Sequence, residues 1–352
     1  MLYRLAQPCL FSLEPEHAHR LALAGLDYAH RFGLTRSLCA GLTDDPVQAM
    51  GLTFRNPVGL AAGLDKNAAH IDALADLGFG FIEVGTVTPL AQAGNPKPRL
   101  FRLTQPQALI NRFGFNNQGI ARFLAHIEGQ HDFTGAGGVL GLNIGKNADT
   151  PIDQAIADYI TCLNAVYPLA INRPSYITIN ISSPNTKHLR DLQAADPFSA
   201  LLSGVADARK RLADRYGKRL PIAVKISPDL DDAVLAPMAD LMLEHGMDAI
   251  IATNTTIDRS RIEGQKHATE TGGLSGAPLL HRSTHVVREL ARHLRGALPI
   301  IAVGGILSGD DVVAKLKAGA TLVQLYTGLI YRGPTLVREA RLAAQQWRAR
   351  AH

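Results

Sequence analysis

The fold is decided by residues 300–328, IIAVGGILSGDDVVAKLKAGATLVQLYTG. This stretch begins and ends with short apolar runs, at residues 300–303 and 322–325. Both runs are continuous instead of alternating, as in parallel strands that are buried on both faces. Between them Val312 and Leu316 recur at helical spacing, and two glycines follow the first run. The stretch therefore predicts a strand, a helix and a second, parallel strand.

Similar runs precede this unit and extend the alternation of strand and helix over most of the chain. The runs are residues 58–61, 81–84, 139–144, 176–181, 222–226, 249–252, 300–303 and 322–325. This alternation predicts an α/β protein and favours a closed (β/α)8 TIM barrel over an open doubly wound sheet. The barrel is favoured because polar residues and glycines follow many of the runs, where a barrel places its active site.

Two connections between the predicted strands are much longer than the others. The first contains residues 95–117 and the second contains residues 258–277. Long ordered insertions on one face of a fold usually form lids or walls of a site. In the first insertion, the sequence NRFGFNN suits a wall that binds a planar polar ligand.

The first 45 residues have a different pattern, with apolar stripes at helical spacing before and after Pro15. The larger apolar groups of these stripes are Leu2, Leu5, Leu10, Leu21 and Leu26. The pattern predicts two amphipathic helices within residues 1–45, in front of a barrel at residues 46–352. They are either a cap that packs on the barrel floor or a pair that faces a bilayer or an apolar ligand. The pattern alone favours the cap.

Composition excludes several classes of protein. Hydrophobic residues make up 46% of the 352 residues and charged residues 19%, which is typical of a globular chain. The net charge is +5, but the basic residues form no run, so nucleic acid is not an expected partner. Cys9, Cys39 and Cys162 form no CxxC pair, and no histidines have ligand spacing, so no disulfide scaffold and no metal site are expected. No segment resembles a signal peptide or a spanning helix, which predicts a reducing compartment.

Neutral hydrogen-bonding residues are concentrated where several predicted strands end, notably at residues 181–186 and 253–255. A Pro-Asn pair alone would make an ordinary turn, but this density at strand ends is more typical of a site. Lys225 also ends a predicted strand, and a lysine inside a barrel mouth needs an anion or an electron-rich ring as partner. Lys66 is either a ligand for an anionic substrate or a solvated residue after a tight turn.

Glycines follow the last two predicted strands, at residues 304–305 and at Gly328. Backbone amides at this position of a barrel commonly bind phosphate. A phosphate-bearing organic cofactor therefore fits the pattern better than a metal does. The GxSxG pattern is absent, which disfavours acyl-serine chemistry. These patterns alone do not name the reaction.

The chain carries, in order, the motifs NPVGLAAGLDK, EVGTVTP, GNPKPRLFRL, NRFGFNN, NIGKN, INISSPNT, VKISPD, ATNTT, TGGLSG, VGGI and QLYTG. Over nearly its whole length it resembles the dihydroorotate dehydrogenases of the quinone-dependent class, bacterial type. It departs from them mainly in loops, such as residues 134–138 and 172–174. The resemblance implies an FMN enzyme that oxidises (S)-dihydroorotate to orotate in pyrimidine biosynthesis and passes the electrons to a membrane quinone.

The resemblance also implies roles for individual residues. Ser183 matches the catalytic base, where the cytosolic class usually has cysteine. The implied FMN-binding residues are Ala62, Gly63, Leu64, Asp65, Lys66, Thr86, Asn143, Asn180, Lys225, Thr253, Gly276, Gly305, Tyr326 and Thr327. The implied substrate-binding residues are Lys66, Asn111, Arg112, Phe113, Gly114, Phe115, Asn180, Asn185, Asn254 and Thr255. The implied quinone-site groups are His19, Arg102 and Tyr326.

The resemblance reverses the preference for an N-terminal cap and implies a monotopic membrane and quinone-access segment. It implies a monomer in peripheral contact with the lipid bilayer, at the cytoplasmic side of the cell inner membrane. Three alternatives remain open. They are a cytosolic dihydroorotate dehydrogenase that uses fumarate or NAD, an FMN barrel with a different substrate, and a non-catalytic binding barrel.

Overall fold

The structure, a computed structural model, describes residues 2–35, 38, 41–130 and 132–351, so Cys39 lies outside the described residues. Its strands are β1 (Val47–Ala49), β2 (Leu52–Phe54), β3 (Val58–Leu60), β4 (Phe81–Val87), β5 (Leu100–Leu103), β6 (Ala108–Asn111), β7 (Val139–Ile144), β8 (Ser175–Asn180), β9 (Ile222–Ile226), β10 (Ala249–Ala252), β11 (Gly273–Gly276), β12 (Ile300–Val303) and β13 (Leu322–Leu325). Its α-helices are α1 (Leu2–Ser12), α2 (Pro15–Arg31), α3 (Ile71–Ala75), α4 (Gly119–Glu128), α5 (Asp132–Gly135), α6 (Ala155–Ala170), α7 (Ala195–Tyr216), α8 (Asp232–Glu244), α9 (Leu280–Leu294), α10 (Gly309–Lys317), α11 (Thr327–Arg332) and α12 (Pro334–Ala351).

Eight parallel strands close into a barrel in the order β3-β4-β7-β8-β9-β10-β12-β13. They coincide with the eight predicted runs to within a few residues at the ends, and a helix follows each strand before the next barrel strand begins. Every residue of β4, β7 and β8 is buried, as the continuous apolar runs predict. The predicted (β/α)8 barrel is confirmed.

The floor of the barrel is covered by the antiparallel hairpin β1–β2. Val47 and Phe54 of this hairpin pack against the first residues of several barrel strands, among them Phe81 and Val139. The rings of Phe54 and Phe81 meet edge to face, with their centroids 5.3 Å apart. The interpretation that the N-terminal helices cap the floor is therefore wrong, because the hairpin occupies that position.

The two long insertions form one structure above the barrel. Strands β5 and β6 come from the first insertion and β11 comes from the second, and they pair as an antiparallel sheet in the order β11-β6-β5. Asn111 stands opposite Gly273 in this sheet, so residues far apart in the chain become neighbours. The insertions thus form a wall at the barrel mouth.

The helices α1 and α2 lie beside the mouth, against the first and last barrel units and the wall. Glu14 caps α2, because its carboxylate accepts hydrogen bonds from the first turn. Glu16 forms an ion pair with Arg99 at 2.8 Å, and Gln7 donates to the Tyr331 carbonyl at 2.8 Å. Asp27 binds the His70 ring at 2.7 Å, next to α3.

Much of the predicted apolar stripe on these helices faces away from the protein. Leu5 is 71% exposed and Leu21 is 51% exposed, whereas Leu10 and Leu26 are partly buried. The Leu2 side chain lies outside the described part of the structure. In the described part of the chain, we find no helix that combines the length and the apolar character needed to cross a bilayer.

Candidate active site

A cavity opens at the carboxyl ends of the barrel strands and contains about 960 Å³ of empty space, its open mouth included. Most of the predicted site residues line it. They are Ala62, Gly63, Lys66, Thr86, Asn111, Phe113, Gly114, Phe115, Asn180, Ser183, Asn185, Lys225, Thr253, Asn254, Thr255, Gly276, Gly305, Tyr326 and Thr327. The (β/α) architecture brings them together because parallel strands all end at the same rim.

One end of the cavity is bounded by close-packed glycine turns. Gly304 and Gly305 follow β12 with φ angles of +118° and +81°, in the left-handed region that favours glycine. A Cβ on Gly305 would lie 2.3 Å from the Leu280 Cα, so no side chain fits there. Gly304, Gly305 and Thr327 all line the cavity, and the backbone amides of such glycine turns suit a phosphate group.

At the opposite end, Ser183 lies among amide side chains. The Ser183 Oγ accepts a hydrogen bond from the Asn185 backbone N–H at 3.2 Å, and the Asn185 Nδ2 donates to the Asn111 Oδ1 at 3.1 Å. The Asn185 Oδ1 and the Thr186 Oγ1 are buried without a hydrogen-bond partner in the structure. Unpaired buried polar atoms are costly, so this end is built to receive a polar ligand or water.

Lys66 adds a basic side chain to the cavity lining. Its Nζ lies 4.0 Å from the centroid of the Phe113 ring. Burial lowers the pKa of Lys66 to about 8, the charge of Glu16 opposes this shift, and Arg99 adds to it. The ammonium is therefore still the main form at pH 7, in a place where an anionic group would stabilise it.

Beneath the cavity, the barrel interior contains a network of buried polar side chains. The Thr86 Oγ1 donates to the Asn143 Oδ1 at 2.5 Å, and the Asn180 Nδ2 donates to the Thr86 Oγ1 at 2.8 Å. The Asn143 Nδ2 in turn donates to the Glu83 carboxylate at 2.7 Å. Burial lowers the pKa of Lys225, whose side chain lines the cavity, and the charge of Glu83 opposes this shift.

A family model for dihydroorotate dehydrogenase matches residues 46–342. This chain belongs to the dihydroorotate dehydrogenase family. A protein of Burkholderia multivorans named dihydroorotate dehydrogenase (quinone) is 57% identical to it over 348 residues, which are 99% of either chain. A protein of Chromobacterium violaceum with the same name is 58% identical over 351 residues, 99% of this chain and 100% of its own length. The resemblance found in the motifs is confirmed.

Solved structures agree with this assignment. A crystal structure of DHODH from Eimeria tenella in complex with ferulenol is 39% identical to this chain, with a TM-score of 0.81 over 92% of both chains. The ligand-free structure from the same organism has a TM-score of 0.82 at 39% identity and covers 94% of this chain and 95% of its own. The barrel and the placement of its helices are therefore those of dihydroorotate dehydrogenases.

Four residues that the dihydroorotate dehydrogenase motifs imply as ligands do not line the cavity. Asn143 lies behind Thr86, as described above, and Leu64 is buried in the barrel core. Asp65 accepts hydrogen bonds from the Ala69 and His70 backbone at 3.0 and 2.8 Å, so its side chain holds a turn together. Arg112 points away from the cavity and forms an ion pair with Glu270 at 2.7 Å.

Several lining residues were not predicted individually from the motifs. Among them are Ser275, Leu279 and Gln324. Gln324 could have been identified from the sequence, because a glutamine within the apolar run LVQL places an amide inside the barrel. The same signal marks Glu83 in the run FIEV. Ser275 had no such signal, because its position depends on the pairing of β11 with β6.

The predicted quinone-site groups lie where the N-terminal helices meet the barrel mouth. Arg102 donates to the backbone carbonyls of Leu10 and Leu13. The Tyr326 hydroxyl donates to the Gly63 carbonyl at 3.2 Å, and burial raises the pKa of Tyr326 to about 12. Burial lowers the pKa of His19 to about 4, so its imidazole is neutral at physiological pH.

Proposed function

We propose that this protein oxidises (S)-dihydroorotate to orotate, with FMN as hydride acceptor and a membrane quinone as final electron acceptor, in pyrimidine biosynthesis. The observation that carries the proposal is that one cavity is lined by Ser183 and Lys66 together with the glycine turns at Gly276, Gly304 and Gly305, which suit an anion. Such a cavity suits an elongated phosphate ester next to a small anionic ring. The family and the names of its quinone-dependent relatives support the same reaction.

The residues present fit FMN. The glycine turns of Gly276, Gly304 and Gly305 leave no room for a side chain, which suits backbone amides bound to a phosphate. Lys225 offers a cation in the cavity lining, and Thr253 and Thr327 offer hydroxyl groups there. When bound, FMN supplies the acceptor for a hydride equivalent. In this proposal, Leu64 and Asp65 contact FMN through their backbone atoms, because their side chains do not line the cavity. Asn143 acts on FMN through Thr86, to which it is hydrogen-bonded.

Substrate binding is assigned to the end that contains Lys66. Its ammonium offsets the charge of the orotate carboxylate, and Asn111, Asn185 and Asn254 hydrogen-bond the polar edges of the ring. The unpaired Asn185 Oδ1 is an acceptor for a ring N–H. Phe113 and Phe115 bound this end and exclude water. Arg112 acts through the wall, by holding the second insertion through Glu270.

Ser183 removes the proton from substrate C5. Serine is a poor base at neutral pH, so its proton must leave at the same time. Thr186 is suited to this task, because its Oγ1 is buried, has no partner in the structure and lies in the turn that follows Ser183. The proton then passes from the Ser183 Oγ to an ordered water beside Thr186.

Quinone access is assigned to the N-terminal segment, residues 1–45, and the barrel chemistry to residues 46–352. Leu21, Tyr28 and Phe32 form an exposed apolar face on and directly after α2. Such a face inserts into the headgroup region of a bilayer without spanning it. His19 on this segment, Arg102 on β5 and Tyr326 in the cavity lining are assigned to the quinone site. We further propose, as the family resemblance implies, that the protein is a monomer in peripheral contact with the lipid bilayer, at the cytoplasmic side of the cell inner membrane.

The proposal is tested by separating the two half-reactions. Purified protein should contain FMN in stoichiometric amount, and anaerobic dihydroorotate should bleach its flavin absorbance. Reduced protein is then mixed with ubiquinone analogue, fumarate or NAD. Rapid reoxidation by quinone alone is expected. Absence of flavin, or failure of dihydroorotate to reduce it, would contradict the reaction, and faster reoxidation by fumarate or NAD would favour the cytosolic alternative.

A further inference from the structure

Below the cavity lies one buried carboxylate to which the proposed reaction assigns no role. Glu83 projects from β4 into the barrel and is fully buried. Its Oε1 accepts from the Asn143 Nδ2 at 2.7 Å, and its Oε2 accepts from the Tyr176 hydroxyl and the Gln324 Nε2, each at 2.8 Å. One side chain thereby connects strands β4, β7, β8 and β13. A buried charge with three donors is costly to replace, so its environment holds it in a single geometry.

These contacts determine the orientation of the amides above Glu83. Because Asn143 donates its Nδ2 to Glu83, its Oδ1 points toward the cavity side. There it accepts from the Thr86 Oγ1 at 2.5 Å and from the Asn180 Nδ2 at 3.3 Å. Thr86 and Asn180 both line the cavity. Thr86 and Asn180, which face the cofactor site, are therefore connected to Glu83 by a single side chain, that of Asn143.

The charge of Glu83 also acts on the cation of the site. Lys225 is buried, which favours loss of its proton, and Glu83 is the acidic group whose charge opposes that loss. Tyr176 is the other ionisable group at the carboxylate. Burial and the Glu83 charge hold the pKa of Tyr176 well above its usual range, so it remains a neutral donor. The negative charge of Glu83 is therefore available to Lys225.

We propose that Glu83 is a positioning residue that orients the Asn143 amide through the contacts above and supplies the negative charge that favours the ammonium form of Lys225, so that the site favours the reduced over the oxidised cofactor. This inference rests on the proposed function, because it requires FMN in the cavity. A preorganised cation stabilises negative charge that develops on a bound group, and it does so most strongly away from water. Without Glu83, Lys225 would lose its proton more readily and this stabilisation would fall.

The test compares three purified holoproteins with the wild type. Glu83→Gln keeps the shape and removes the charge. Glu83→Asp keeps the charge at a shorter reach, and Tyr176→Phe removes one hydrogen bond but leaves the carboxylate. FMN content is measured from the absorbance after denaturation, and the midpoint potential of the bound flavin is measured by equilibration with a reference dye. The midpoint potential of the bound flavin does not depend on turnover. If the role of Glu83 were purely structural, a variant that binds a full complement of FMN would have the wild-type midpoint potential.

Glu83→Gln should shift the flavin equilibrium at least tenfold toward the oxidised form, which is about 30 mV for a two-electron couple. Glu83→Asp and Tyr176→Phe should stay within threefold of the wild type. A loaded Glu83→Gln protein with the wild-type potential would overturn the inference, as would an equal shift in Tyr176→Phe. If Glu83→Gln fails to retain FMN, Glu83→Asp decides the question, because a shift of tenfold or more in that variant contradicts a role of the charge.

The wild-type protein separates this inference from the proposed function. If it contains no FMN, or if dihydroorotate does not reduce it, the proposed function fails before Glu83 is tested. If the wild type is loaded and reduced but the Glu83→Gln potential is unchanged, only the role of Glu83 fails.

Discussion

The cavity at the barrel mouth encloses polar groups, whereas the N-terminal helix pair exposes apolar ones. In the cavity, hydroxyl, amide and ammonium groups lie inside an apolar barrel, and many of them already bind one another. On the helix pair, Tyr28 and Phe32 are 63% and 64% exposed, with their rings 4.5 Å apart. Polar groups in a water-excluding interior bind a small polar ligand. Clustered apolar groups on a surface bind a membrane or an apolar partner. The two regions are therefore suited to two different substrates.

The two regions are nevertheless in direct contact. The Glu16–Arg99 ion pair joins α2 to the wall, and Glu16 and Arg99 both act on the pKa of Lys66. His19, on the same helix, is neutral and packs near Lys66. An uncharged imidazole at this position adds no further cation beside Lys66 and Arg99. The predictions below change the cavity, then the helix pair, and last the contact between them.

The largest effect is expected from Ser183→Ala. Loss of a general base should slow flavin reduction by dihydroorotate by about 10² or more. FMN content should hold, since Ser183 lies away from the glycine turns. Stopped-flow absorbance measures the rate, and Ser183→Cys, which restores an ionisable group, should recover part of it. A near-normal rate in Ser183→Ala would remove the serine from the mechanism.

A somewhat smaller effect is expected from Lys66→Met. This change keeps the packing on Phe113 but loses a charge-assisted contact, worth about 1.5–3 kcal/mol, or roughly 10- to 150-fold in orotate affinity. In the wild type, the pKa of Lys66 is about 8. Orotate should bind best below that pH and more weakly as the pH rises through it, because the ammonium is then lost.

Orotate affinity is measured by titration of the flavin spectrum between about pH 6 and 10, which extends roughly two units to either side of the lysine pKa of about 8. Lys66→Met should give a weak and nearly flat profile over this range. A steep fall in affinity that persists in the variant would assign the titration to another group.

An effect of about tenfold is expected on membrane binding from the double change Tyr28→Ser and Phe32→Ser, which removes part of the apolar face. Flotation with vesicles of anionic and neutral phospholipid measures the bound fraction. Flavin reduction by dihydroorotate should be unchanged. Val234→Ser with Leu243→Ser is the matched control, because these residues are 37% and 38% exposed on α8, outside the helix pair. Equal loss of vesicle binding in both variants would argue against a specific membrane face.

The smallest effect is expected from Glu16→Gln, which weakens the contact between the two regions. The Arg99 guanidinium holds the pKa of Glu16 below its usual value of 4.5. The ion pair therefore stabilises the docked helix above pH 4.5, and this stabilisation is lost as the pH falls through the lowered pKa. Hydrogen exchange of α2 should be a few-fold faster in the variant at pH 7. Unchanged exchange would mean that apolar contacts alone hold α2.

The barrel could be predicted from the sequence because each of its strands is a local signal. A continuous apolar run such as residues 139–144 identifies a buried strand without knowledge of its neighbours. The position of the site followed, because parallel strands end at one rim. The identities of Ser183 and Lys66 as functional groups required the family resemblance, since both patterns also fit ordinary turns.

The rest depended on contacts between distant segments. The pairing of β6 with β11 joins two insertions separated by most of the barrel, and neither carries a strong strand pattern. The floor hairpin β1–β2 is too short to be recognised from periodicity. The helical stripes of α1 and α2 were visible, but a stripe does not say what covers it. Its exposure beside the mouth could be read only from the structure.

The most direct test of this division between two regions is a variant that lacks residues 2–40, assayed for each half-reaction separately. Every barrel strand begins after these residues, so the variant should retain FMN, and its content is measured first. Reduction by dihydroorotate should stay within about threefold of the full-length rate, whereas reoxidation by a long-chain quinone in vesicles should fall at least tenfold. A flavin-loaded variant that reoxidised with vesicle quinone at the full-length rate would contradict the account.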